Sequence, residues 1–268
     1  SSAYHSNLAL VSAIKEGLKQ SAIPSECVGL IHEISRETLS SFLTQRNFLD
    51  LLIPRGGKAL IDRVVKESTV PTLETGVGNC HIFVDASYDI PKAIDIIINA
   101  KTQRPSVCNA CESLLIHQDI AKKLLPDLIK ALKQKNVILV GCSQTCSYDN
   151  SIQLALDDDW EQEFLDLKLA IKIVSSTEEA IHHISRYGSK HSEAILSHHH
   201  QNINNFSKQV DAAAVLINAS TRFTDGEQIG FGAEMGISTQ KLHTRGPVGL
   251  LALCSTKFII EGNGHTRN

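Results

Sequence analysis

The stretch HIFVDASYDIPKAIDIIINAK (His81–Lys101), continued by ESLLIHQDIAKKLLPDLIKALK (Glu112–Lys133) and NVILVG (Asn136–Gly141), decides the fold. HIFVD (His81–Asp85), ESLLIH (Glu112–His117) and NVILVG are short apolar runs of strand length. Between them, Pro91–Lys101 and Gln118–Lys133 predict helices, the first with proline in its first turn. Downstream, LAIKIVS (Leu169–Ser175) and AAVLINA (Ala213–Ala219) predict strands, and Thr177–Tyr187 a helix opening on Thr-x-Glu-Glu. Upstream, Leu10, Val11, Ile14 and Leu18 recur at helical spacing until near Pro24. CVGLIHEIS (Cys27–Ser35), LDLLIP (Leu49–Pro54) and TVPTLE (Thr69–Glu74) predict short strands. A helix with Leu39, Phe42 and Leu43 inward and another over Ala59–Ser68 fall between them. This βαβ rhythm predicts a doubly wound α/β architecture.

Composition bounds the function. The 268 residues suffice for one large domain or two ordinary ones, and 42% hydrophobic with 21% charged residues excludes a disordered or fibrous chain. With 26 basic against 29 acidic residues, no basic excess exists to neutralise phosphates, and aromatics at 5% supply few stacking platforms, so no nucleic-acid partner is expected. No apolar run reaches the ~18–20 residues a membrane helix needs, and the N-terminus has no secretory pattern, so no membrane contact and a cytoplasmic location are expected. Seven cysteines at irregular spacing, an odd number, argue for reduced thiols rather than a secreted disulfide framework.

Among those thiols, Cys108 in KTQRPSVCNACE (Lys101–Glu112) stands out, because Lys101 and Arg104 lie close in sequence and cations favour the nucleophilic thiolate. A buried, inert cysteine is the plainer alternative. The pairs Cys108/Cys111 and Cys142/Cys146 have zinc-like internal spacing, although the first lies between a helix and an apolar strand rather than on tight turns. The tract His198–His200 reads as a solvated loop, since adjacent histidines point in different directions. ETGVGNC (Glu74–Cys80) ends a predicted strand: its glycines allow close backbone approach, and Glu74 is a general base or a solvated carboxylate. Arg55, Gly56 and Gly57, between a strand and a helix start, form either a phosphate-facing turn or an ordinary one. No dinucleotide or P-loop glycine fingerprint is present.

Longer strings carry more information: DLLIPRGG (Asp50–Gly57), TVPTLETGVGNCHIFVD (Thr69–Asp85), INAKTQRPSVCNACESLLIH (Ile98–His117), YGSKHSEAI (Tyr187–Ile195), VLINASTRFTDGEQIGFGAEMGISTQKLHTRGPVGL (Val215–Leu250) and TKFIIEGNGHTRN. Together, and in this order, they resemble the γ-glutamyl phosphate reductase (glutamate-5-semialdehyde dehydrogenase) family of the aldehyde dehydrogenase superfamily. The resemblance covers nearly the whole chain. It implies an aldehyde-dehydrogenase-like α/β fold: a partial Rossmann-type cofactor domain (1–78), an α/β catalytic domain (79–240), a return to the cofactor domain (241–255) and an oligomerisation tail (256–268). It implies Cys108 as the catalytic thiolate, with Glu74 at a spacing similar to the superfamily's glutamate. Arg55, Gly56, Gly57, Thr75 and Gly76 would face the cofactor, and Glu163 resembles the glutamate that contacts the nicotinamide ribose. The implied reaction is NADPH-dependent reduction of L-glutamyl 5-phosphate to L-glutamate 5-semialdehyde through a cysteine thioester, in proline biosynthesis. Arg104, Asn218 and Arg222 are candidate substrate anchors, because the charged head and phosphate need polar partners. No metal is implied. A homo-oligomer and a functional link to glutamate 5-kinase are. Family members begin before the position of Ser1, so the family's cofactor-domain lysine and its upstream asparagine fall outside this sequence. Two alternatives stand beside this reading: an oxidative aldehyde dehydrogenase for another small aldehyde, and a zinc-stabilised, non-enzymatic α/β interaction module.

Overall fold

Three helices supply the regular structure of the N-terminal segment: α1 (Tyr4–Leu18), α2 (Arg36–Phe42) and α3 (Lys58–Glu67). The computed structural model describes residues 3–33 and 35–267. Ser35 starts α2 by accepting the Thr38 N–H on its hydroxyl at 3.1 Å, the N-cap bond that such residues favour. Leu43, Leu52, Val64 and Val70 form the small core of this segment. It is one of two compact units, Ser1–Thr72 and Leu73–Asn268.

The second unit is a parallel sheet of seven strands: β1 (Cys80–Val84), β2 (Cys111–His117), β3 (Ile138–Gly141), β4 (Gln153–Leu154), β5 (Lys168–Val174), β6 (Ser192–Leu196) and β7 (Ala214–Ile217). Their spatial order is β4-β3-β5-β2-β1-β6-β7. The crossovers are α4 (Ile90–Thr102), α5 (Gln118–Gln134), the single turn α6 (Ser143–Cys146), α7 (Thr177–Tyr187) and α8 (His200–Gln209). Because side chains alternate along a strand, β1 sends Ile82 and Val84 to one face and Phe83 to the other. The first face packs with Leu114, Ile116, Ala194 and Leu196 against α4 and α5. The second packs Phe83, Leu115 and Ile195 against Ala180, Ile181 and Ile184 of α7 and Phe206 of α8. Burial on both faces explains why these strands read as continuous apolar runs. A two-stranded antiparallel ribbon, β8 (Ile237–Ser238) with β9 (Gly246–Pro247), lies apart from the sheet. No helix among the described residues is long and apolar enough to cross a membrane.

Strands β1, β2, β3, β5 and β7 and helices α4, α5 and α7 agree with the sequence reading to within a few residues, whereas β4, β6 and α8 are not among its elements. Three predicted strands do not form. After a 3-10 turn at Ser25–Cys27, residues 28–33 have no regular structure, and Ile34 lies outside the described residues. Leu49–Pro54 and Thr69–Glu74 meet in a single parallel bridge, Leu52 to Thr72. An apolar run becomes a strand only with neighbours to take its N–H and C=O groups, and these segments find only one another. The region expected to be a partial Rossmann-type domain therefore shows helices without a sheet among its described residues. The tail from residue 256 likewise has no regular structure among its described residues, and Phe258 and Ile260 are 94% and 91% exposed. Conversely, His198–His200 is not a loop throughout, since His199 caps α8 and His200 begins it.

Phe206 is fully buried and its ring stacks on Phe83 at a centroid distance of 6.4 Å. Phe206→Ala is expected to cost about 3–5 kcal/mol of stability, read by denaturant unfolding of the second unit. A change below about 1 kcal/mol would contradict this packing.

Candidate active site

The loop 103–110 joins α4 to β2 and carries Cys108, half-buried, three residues before the strand begins. Its backbone is pinned from two sides. The Cys80 thiol donates to the Cys108 carbonyl at 3.1 Å. Gly78 packs so closely that a methyl group there would overlap the carbonyl carbon and oxygen of Cys108. Glycine is thus required at 78 for close approach.

Charge is supplied by the 3-10 turn Thr221–Phe223, started by the Ser220 hydroxyl, which accepts the Arg222 N–H. The Arg222 guanidinium donates to Gln103 Oε1 at 2.9 Å and to Asn109 Oδ1. Asn109 is itself fixed by donating its amide to the Thr224 carbonyl at 2.8 Å. Both side-chain acceptors are neutral, so the positive charge is held but not cancelled by them. Burial lowers the Arg222 pKa, opposed by attraction to Asp225 and Cys108, while Arg104 adds repulsion. Cys108, Arg222 and Arg104 are therefore electrostatic neighbours. Arg104 is exposed and has no hydrogen bond or ion pair among the described residues.

Glu163 reaches the same loop cluster: its Oε1 accepts the Gly78 N–H at 2.8 Å. Burial raises the Glu163 pKa. Its Oε2 has no hydrogen-bond partner among the described residues, which suits a ligand hydroxyl. Glu74 is engaged reciprocally with Gln240. Its N–H donates to Gln240 Oε1 at 2.9 Å and its Oε1 accepts from Gln240 Nε2 at 3.0 Å. Thr75 is buried, and the Gly76 N–H donates to the Ile237 carbonyl, tying this segment to β8. Asn218 is placed elsewhere. It follows β7 with a left-handed φ of 56°, and both ends of its amide bond the backbone of Ser197 at 2.8 and 3.0 Å. Arg55, Gly56 and Gly57 lie in the N-terminal unit, exposed ahead of α3.

Sequence reasoning missed Asn109, Gln103 and Gln240. Asn109 carried one usable signal, adjacency to Cys108, whereas Gln240 lies 166 residues from its partner. The cysteine pairs behave differently from a metal centre. Cys111 is fully buried in the core, with its thiol pKa pushed up by burial. No three of His, Cys, Asp and Glu gather as metal ligands among the described residues.

Beneath this loop, a polar row crosses the sheet. Ser113, His81 and Glu193 are in register on β2, β1 and β6. His81 donates its backbone N–H to Glu193 Oε2 at 2.7 Å, and its Nδ1 lies 3.1 Å from the same oxygen. His183 of α7 covers the row, edge-on to His81 and Trp160, with neither ring nitrogen hydrogen-bonded. Burial pushes its pKa down to about 2.

No protein-family model matches the chain. Individual proteins do. Over 267 residues it is 57% identical to the γ-glutamyl phosphate reductase of Bacillus cereus strain AH187, an alignment covering all of this chain and 64% of that protein. The chain is similar over its whole length to proteins named γ-glutamyl phosphate reductase. The crystal structure of that reductase from Thermotoga maritima superposes with a TM-score of 0.94 at 51% identity, covering 99% of this chain and 64% of that one. The chain thus spans a little under two thirds of the length of the reductases it matches. An acetylating aldehyde dehydrogenase from Geobacillus thermoglucosidasius shares the fold, with a TM-score of 0.74 at 18% identity over 96% of this chain and 66% of that one.

Two outcomes are expected. Gly78→Ala must displace the Cys108 backbone, costing about 1–3 kcal/mol in thermal unfolding; an unchanged midpoint would refute the close approach. For His183, the folded-state pKa of about 2 lies below the ordinary value of 6.5, so the native state keeps it neutral. The stability it contributes is complete above pH 6.5 and falls as pH drops toward 2, by up to about 1.4 kcal/mol per unit. His183→Leu should flatten the decline of the thermal midpoint between pH 6.5 and 4.5 relative to the native chain. Parallel curves would contradict a buried neutral imidazole.

Proposed function

We propose that this chain carries the catalytic centre of an L-glutamyl 5-phosphate reductase, with Cys108 as nucleophile. The observation that carries this reading is the Arg222 guanidinium, fixed by two neutral side-chain oxygens, one of them on Asn109 beside Cys108. A cation so placed favours the thiolate and attracts an anionic substrate. The thiolate attacks the acyl carbon, the carbon–oxygen bond to phosphate breaks, phosphate leaves, and a thioester remains. Arg222 and Arg104 neutralise the departing phosphate, and the Cys108 backbone N–H, on a loop pinned by Gly78 and Cys80, holds the tetrahedral oxyanion. The Glu163 carboxylate fits a ribose-contacting role, because one oxygen is anchored to Gly78 and the other is available to a hydroxyl. Thr75 and Gly76 lie in the same strand-end segment. Arg55, Gly56 and Gly57 form the phosphate-facing turn of the cofactor region. NADPH, when bound, supplies the hydride that reduces the thioester carbon. The carbon–sulfur bond then breaks, giving the semialdehyde and regenerating the Cys108 thiolate. This direction requires no base to activate water, consistent with Glu74 being held by Gln240. Asn218 serves the carboxyl end of β6 rather than the substrate.

Several wider features belong to this reading. An acyl phosphate must come from a carboxylate kinase, here glutamate 5-kinase, placing the step in proline biosynthesis in the cytoplasm. The exposed Phe258, Ile259 and Ile260 support a tail that pairs with a second copy of the chain, since an unpaired apolar strand is an association surface.

Cys108→Ala is expected to abolish NADPH-dependent semialdehyde formation; retained turnover overturns the assignment. Arg222→Met should raise KM for the acyl phosphate or lower kcat by about 10–100-fold, the loss of a charged hydrogen bond of about 1.5–3 kcal/mol.

A further inference from the structure

We propose that the buried Lys101–Glu112 ion pair is the positioning device of the nucleophile loop, clamping its two ends so that Gln103 and Asn109, which flank Cys108, stay on Arg222. The inference rests on Cys108 being the nucleophile. Lys101 lies in the last turn of α4 and Glu112 is the second residue of β2, so the pair closes the base of the loop 103–110. Their separation is 2.6 Å and both side chains are 0% exposed.

The backbone shows why Glu112 takes part. In the β1–β2 ladder Cys80 pairs with Cys111, but His81 pairs with Ser113. Glu112 is therefore the extra residue of a β-bulge. A bulge re-aims a side chain that regular pleating would send elsewhere. Here the re-aimed carboxylate meets Lys101 with one oxygen and accepts the Leu165 N–H with the other, at 3.2 Å. Leu165 has a left-handed φ of 55° and lies two residues after Glu163. One carboxylate thus fastens the nucleophile loop and the segment bearing Glu163 to the same point. Burial raises the Glu112 pKa to about 7 against the pull of Lys101, with Glu163 adding repulsion. Such a pair contributes little net stability relative to apolar replacements, which favours a role in geometry.

The test separates geometry from folding. Lys101→Met/Glu112→Gln removes the pair while keeping side-chain length and the acceptor for Leu165, and it leaves net charge unchanged. Thermal unfolding checks that the variant folds. The pH profile of iodoacetamide alkylation is then followed at the Cys108 peptide by mass spectrometry. The charged and titratable groups acting on Arg222 are Asp225, Cys108, Arg104 and Glu234, and the Cys80 thiol lies on the Cys108 carbonyl; all are retained. With the loop released from Arg222, the midpoint should rise by half a unit or more, slowing alkylation at pH 7 by about threefold. Arg222→Met should produce a similar rise, and combining it with the pair removal should add nothing further. If Arg222→Met moves the midpoint and the pair removal does not, the positioning role is overturned while the nucleophile stands. If alkylating Cys108 leaves semialdehyde formation intact, the proposed function itself fails. A variant that does not fold is replaced by Lys101→Leu/Glu112→Met, judged by the same profile.

Discussion

The β1–β2 ladder is the constraint on which the rest of the second unit depends. β1 is flanked on both sides by parallel strands, β2 and β6, so its ends cannot move without breaking two sets of backbone bonds. Gly78 precedes it and Cys108 precedes β2. The two entering segments are therefore held side by side, close enough that no side chain fits at 78. Everything proposed for catalysis follows from that closeness: the thiol of Cys80 on the Cys108 carbonyl, Glu163 on the Gly78 N–H, and the turn bearing Arg222 over both.

Much of this was legible in the sequence, and the failures have physical reasons. Strands such as HIFV and LLIH announce themselves because both faces are buried. β6, SEAIL, was not recognised because Ser192 and Glu193 give its start a polar character, although both are fully buried. α8 was missed because Phe206 is its one buried residue, too few for an apolar period to appear. In the N-terminal unit the apolar runs were read correctly as apolar and wrongly as strands, since pairing is a property of neighbours. At the site, the sequence points to Lys101 and Arg104 as the cations beside Cys108, but Lys101 is paired with Glu112 and the cation bonded to the loop is Arg222. Gln103, Asn109 and Gln240 were not readable, because neutral amides carry no motif and act through contacts far apart in the chain.

The polar row beneath the site shows a second way in which burial shapes chemistry. Ser113, His81, Glu193 and His183 occupy positions that an all-apolar sheet would give to valine or leucine. Each carries at least one side-chain nitrogen or oxygen without a partner, at a cost that the surrounding apolar packing must offset. Burial resists charge in two directions there, raising the Glu193 pKa and lowering that of His183.

The neutral acceptors of Arg222 sharpen its proposed role. Were its guanidinium paired with a carboxylate, its field at Cys108 would be largely cancelled, and an incoming anion would have to compete for it. Glu112 would be such a partner if it faced the loop. The bulge turns it away to Lys101 instead. The two cations thus have different assignments: Lys101 is consumed in geometry, deep in the core, while Arg222 is held by amides whose oxygens orient it without neutralising it. A thiolate and an anionic leaving group would both gain from a positive charge that is fixed in place by neutral oxygens, with Asp225 and Glu234 drawing on part of its field.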